Sequence, residues 1–180
     1  MVNMSNNGEI SDIIHLMRYL YILIIFLRIL FALLIFRLPQ LSVIVSFFLD
    51  VVDGDFAPSA ITKKQYQFVD KTVDFFVYIF EMIYAWINFR DFRLFLLALL
   101  LWRFIGMVVF YITKNRRYFI IFGNYFENAF YVIFFNFIVI NFVFTLITVF
   151  AFKLFQEWFI HVADLSVRED IFKKKRNWKK

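Results

Sequence analysis

Between Tyr19 and Phe152 the chain is a series of apolar runs, most close to the roughly 20 residues a helix needs to cross a bilayer, separated by short polar turns. In hydrocarbon every backbone N–H and C=O must be satisfied within the protein, and consecutive runs of this length achieve that as helices. The pattern predicts an all-α, polytopic membrane bundle of about six transmembrane helices. A content of 63% hydrophobic residues, with 29 Phe among 180, fits lipid-facing and interhelical packing and exceeds what a soluble domain of this size can bury.

The expected spans are Tyr19 to Phe36, preceded by an amphipathic approach from Ile10 to Arg18; Pro39 to Ala57, with Pro39 in the first turn; Tyr66 to Ile87; and Leu94 to Ile112. Two more fit between Tyr118 and Phe155, divided near Asn136 to Asn141. Residues 1–155 therefore form the membrane domain, and 156–180 an amphipathic tail ending in Lys173-Lys174-Lys175-Arg176-Asn177-Trp178-Lys179-Lys180. The polar, acidic start up to Asp12 has no basic n-region, so no cleavable signal peptide is expected.

Orientation follows from Lys and Arg in the short loops. With a cytoplasmic N-terminus, that side collects Arg18, Lys63, Lys64, Lys114, Arg116, Arg117 and the basic tail, and the far side only Arg37, Arg90 and Arg93. The reading is a multi-pass protein of the cell or inner membrane, with both termini cytoplasmic. The basic tail suits anionic lipid; no aromatic-basic platform supports a nucleic-acid partner.

The chain has no Cys and only His15 and His161, which excludes thiolate chemistry and makes a zinc hydrolase or a Ser-His-Asp enzyme a poor fit. Both histidines read as interfacial residues. The chemistry rests on carboxylates instead. Asp50 and Asp53 close the second span, Asp70 and Asp74 open the third, and each pair shares a helix face, so four carboxylates can converge on the cytoplasmic side. Acids at a helix start need little explanation, but Asp50 and Asp53 lie at a helix end, where the dipole disfavours anions. Such a cluster repels itself unless a cation joins it, and carboxylate oxygens suit Mg²⁺, Mn²⁺ or Ca²⁺.

Asp50-x-x-Asp53-Gly54-x-x-Ala57 followed by Asp70-x-x-x-Asp74, at the junction of the second and third spans, resembles the signature of the CDP-alcohol phosphatidyltransferase family. Six of its eight fixed positions match; Pro58 replaces the motif's Arg, Tyr66 replaces its second Gly, and the spacer is one residue short. The family's members are six-helix membrane enzymes, commonly dimers. The resemblance implies phospholipid synthesis with two divalent cations, Mg²⁺ or Mn²⁺, on Asp50, Asp53, Asp70 and Asp74, and Asp74 as base or shared ligand. The substrates implied are a nucleotide-activated, CDP-linked donor and an alcohol acceptor, with Gly54 and Ala57 letting the nucleotide approach closely. Lys63, Lys64 and Lys71 stand near enough in sequence to replace the missing motif charge.

Other polar residues carry two readings each. Arg28, Glu81 and Arg103 lie within apolar runs, where charge costs at least a few kcal/mol, so they should point inward and either pair, for instance Glu81 with one of the arginines, or contact substrate. Arg28 also resembles an Arg in the family's first helix. Arg116 and Arg117 are phosphate ligands or topology determinants. Asn124, Glu127 and Asn128 interrupt a Phe-rich segment as helix-capping or interhelical hydrogen-bonding groups, or as acceptor-binding residues. Against the transferase stand a non-enzymatic membrane protein with a structural cation site and a small cation transporter; the latter would place its acids at the midplane rather than the cytoplasmic face.

Overall fold

The structure is a computed structural model describing residues 4–57, 62–115, 117–161 and 163, with side chains left aside at 4–15, 55, 63, 64, 160 and 161. The described residues are helical, with no strand: α1 (Met4–Leu34), α2 (Pro39–Phe56), α3 (Lys63–Asn88), α4 (Arg93–Thr113), the single turn α5 (Tyr118–Ile121), α6 (Tyr125–Phe134) and α7 (Phe142–His161). Three stretches are long and apolar enough to cross a membrane: Leu16–Leu34, Arg93–Thr113 and Phe142–Phe159. Their outer faces carry exposed Leu94, Ile112 and Phe152, as helices facing lipid do.

The helices differ from the sequence expectation in several ways. The amphipathic approach and the first span are one continuous helix, and α7 runs through residue 156, so the expected boundary between membrane domain and tail falls inside it. The segment expected as a fifth span is broken at 122–124, leaving α6 with 10 residues, about 15 Å of rise, half a hydrocarbon core. The break near 136–141 lies where the sequence places it.

The chain divides into two compact units at Phe80 and Glu81, within α3. In the first, α1 packs along α2. Tyr21, Ile24, Arg28, Ala32 and Ile35 form its buried stripe, at steps of three and four residues. On α2 the small residues Ser42 and Ser46 are buried, which lets the backbones come close, and the Ser42 hydroxyl donates to the Phe31 carbonyl. Pro39 starts α2 where its missing N–H costs nothing. A reciprocal capping box starts α3: the Thr62 amide donates to Gln65 Oε1 at 2.9 Å, and the Gln65 amide to Thr62 Oγ1 at 3.2 Å. That box sets the helix start three residues ahead of the expected Tyr66.

In the second unit, α4 buries Leu96, Leu100, Arg103, Gly106 and Met107. The break between α5 and α6 leaves carbonyls without helical partners, and α4 supplies them: Trp102 Nε1 donates to the Ile121 carbonyl at 3.0 Å, and Arg103 to that of Phe122 at 2.9 Å. Arg103 also lies over the Phe119 ring, 4.6 Å from its centroid. A Cβ at Gly106 would sit 2.1 Å from the Phe122 Cβ, so only glycine admits this approach. Gly106→Ala is expected to destabilise the detergent-solubilised protein by about 1–3 kcal/mol, the usual cost of overpacking, read as earlier thermal unfolding. Phe126, Ala129 and Phe130 fill the α6 face completely, and Asn141 Oδ1 caps α7 by accepting the Phe144 amide at 2.8 Å.

Candidate metal centre

Helix periodicity gathers the four acids. Asp50 and Asp53 lie one turn apart on the last turns of α2, Asp70 and Asp74 one turn apart near the start of α3, and Arg28 enters from the buried stripe of α1. Its guanidinium sits among all four: 2.6 Å from Asp50, 2.5 Å from Asp53, 2.5 Å from Asp74 and 3.6 Å from Asp70. Arg28 thus pairs, one of the two roles expected for it, and its partners are the acids. Glu81 is buried in the second unit, where Arg103 meets the Phe122 carbonyl and the Phe119 ring.

Lys71 is a second cation in the cluster, with Nζ 2.8 Å from Asp70 and 2.7 Å from Asp74. Asp53 has both oxygens engaged, one by Arg28 and the other by the Tyr66 hydroxyl, which donates at 2.7 Å. Asp74 likewise accepts from Arg28 on one oxygen and Lys71 on the other. Burial is graded. The Asp50 side chain is 41% exposed, Asp70 11%, Asp74 6% and Asp53 3%, so the cluster opens at Asp50 and closes at Asp53 and Asp74. Such desolvated carboxylates are tolerable only with the two cations among them.

One oxygen from each of Asp50, Asp70 and Asp74 lies within 4.8 Å of the others, a spacing that permits a shared ion. The donors are all hard oxygens, which fits Mg²⁺ or Mn²⁺ and excludes a soft-metal site. Among the described side chains, four carboxylates face two cations and leave two negative charges for a bound ion to neutralise.

The remaining candidates separate. Ala57 is packed with Tyr21 and Tyr66, so the position expected to admit a nucleotide is filled by two tyrosines. Gly54 is half-buried on the last turn of α2. Arg116, Pro58, the basic tail and the side chains of Lys63, Lys64, His15 and His161 lie outside the described residues. Arg117, Asn124 and Glu127 belong to the second unit. There Glu127 accepts from Asn124 at 2.5 Å and from the Tyr131 hydroxyl at 2.9 Å, contacts within α6 and the residue that precedes it.

The sequence marks Tyr66 only as a departure from the motif and does not mark Tyr21, although a signal exists: Tyr66 precedes Asp70 by one turn, and Tyr21 precedes Arg28 by two turns on the same face. No family model, curated protein or solved structure matches this chain.

Proposed function

We propose that the chain is a membrane phosphotransferase of phospholipid synthesis, joining a CDP-linked donor, lipid or otherwise, to an alcohol acceptor. The observation that carries this reading is the convergence of Asp50, Asp70 and Asp74 oxygens within 4.8 Å. It gains support from the resemblance of the surrounding residues to the CDP-alcohol phosphatidyltransferase signature. In this reading α2 and α3 complete the set of spans, α5 and α6 make a broken fifth, and the acids face the cytoplasm.

Divalent cations at the acids would polarise the donor phosphate and offset charge on the leaving group. The acceptor hydroxyl oxygen attacks the phosphorus, the bond from phosphorus to the CMP oxygen breaks, and CMP leaves with the bonding pair. Asp74 takes the hydroxyl proton. Arg28 and Lys71, already among the carboxylates, add fixed positive charge beside the incoming phosphate without reorganisation. Asp50, the most exposed acid, marks the side from which a donor reaches the cluster.

The test is CMP release by purified protein given a CDP-linked lipid, Mn²⁺ and a panel of alcohols. Turnover should need both cation and alcohol; no CMP from any pairing would refute the transferase.

A second reading is favoured by Arg28 itself, which hydrogen bonds to three of the four acids. A guanidinium so placed ties α1, α2 and α3 together without any metal, as a structural ion cluster would. On that reading the protein folds equally well in chelator and makes no CMP.

A further inference from the structure

The connection between α6 and α7 has a surface that neither the acids nor the helix packing accounts for. Between Asn136 and Asn141 it reads Phe137-Ile138-Val139-Ile140, four consecutive apolar residues, all exposed. A turn in water favours Gly, Asn, Asp, Ser or Pro, above all where φ is positive. Asn136, at φ 53°, obeys that rule. Ile140, at φ 58°, does not: a β-branched side chain is held in the left-handed region with 80% of its surface uncovered.

The backbone of the same residues asks little of water. The Asn136 amide donates to the Ile133 carbonyl at 3.2 Å, that of Phe137 to Val132 at 3.0 Å, and that of Ile138 to Asn136 at 3.0 Å. The buried Thr145 hydroxyl accepts the Val139 amide at 2.8 Å and stands 3.2 Å from the Val139 carbonyl. Irregular backbone is kept out of lipid because its polar groups go unpaired there, and here four successive amides are paired within the chain. Ring contacts fix the level of this segment in the second unit. Phe89 packs on Phe134 and Phe92 on Phe142, with centroids 6.3 and 4.9 Å apart, so it shares one end of the unit with the turn at 89–92, which exposes Arg90 and Asp91. The apolar surface continues in another direction, down α7 through exposed Val143 and Ile147, within a stretch long and apolar enough to cross a membrane.

We propose that residues 137–140 are a membrane anchor, lying in the bilayer interface beside α7 while the turn at 89–92 at the same end reaches water. Lipid is the occupant of this patch because the patch is continuous with the exposed apolar face of α7, and because internal pairing of its amides meets a requirement that lipid imposes and water does not. The anchoring is independent of the chemistry at the acids.

The chain has no cysteine, so Ile140→Cys and Arg90→Cys each create a unique attachment point for a nitroxide, at residues exposed enough that packing is undisturbed. With the full chain in liposomes, electron paramagnetic resonance compares collisions of the label with oxygen, which concentrates in hydrocarbon, and with a water-soluble nickel chelate. The oxygen-to-nickel ratio at Ile140→Cys should exceed that at Arg90→Cys severalfold. Equal ratios would put both segments in one medium and overturn the inference. Infrequent collisions with both probes at Ile140→Cys would also overturn it, since they mark a patch covered by protein, such as a second copy of the chain.

Discussion

Arg28→Gln is expected to lose about 3–5 kcal/mol of stability in chelator, the scale seen when one partner of a buried ion pair is removed. Its guanidinium is 3% exposed and serves Asp50, Asp53 and Asp74 together, so the substitution leaves those carboxylates with Lys71 as the remaining described counter-charge. Added Mn²⁺ should restore much of the loss, because an ion that binds only the folded chain stabilises it by mass action, and a more negative site binds it more tightly. The melting temperature of the variant should therefore rise more with Mn²⁺ than that of the wild type. Equal melting of variant and wild type in chelator would mean that the guanidinium is not what neutralises the acids.

The second large effect concerns the reaction. Asp74→Asn preserves shape and one oxygen donor, yet an amide cannot accept the acceptor's proton at neutral pH. CMP release should fall by about 10²-fold or more, the usual scale for a positioned base, while at least half the wild-type amount of Mn²⁺ stays bound at saturation. Asp50→Asn, at the exposed mouth of the cluster, should instead raise the Mn²⁺ concentration needed for turnover. Full activity in Asp74→Asn would move the base elsewhere.

Most helix positions were legible because apolar period and punctuation agree: Pro39 starts α2, and Asn136 and Asn141 bracket the break between α6 and α7. The convergence of the acids was legible too, since spacings of three and four fix a helix face whatever the tertiary fold. Two features escaped. The break at 122–124 carries Gly123 as a weak local signal, but its stability comes from Trp102 and Arg103, about 19 residues upstream, and no local pattern reports such a partner. Arg28 was recognised as a buried charge that must pair, yet its partners depend on how α1 lies against α2 and α3, which periodicity leaves open. The capping box of Thr62 and Gln65 was readable and would have set the α3 start correctly.

Arg28 also bears on how the chain is made. A lone arginine near the middle of a nascent span carries an insertion penalty of roughly 2.5–3.5 kcal/mol, and a lone aspartate in that position a similar one. Arg28 lies within a stretch apolar enough to cross a membrane, and its countercharges arrive on helices synthesised after it. The first helix can enter the bilayer on its own hydrophobicity, whereas α2 and α3, on the proposed six-span topology, would gain most by entering beside it. Biogenesis on that topology would have an order: the arginine waits in place, and the carboxylates are recruited to it.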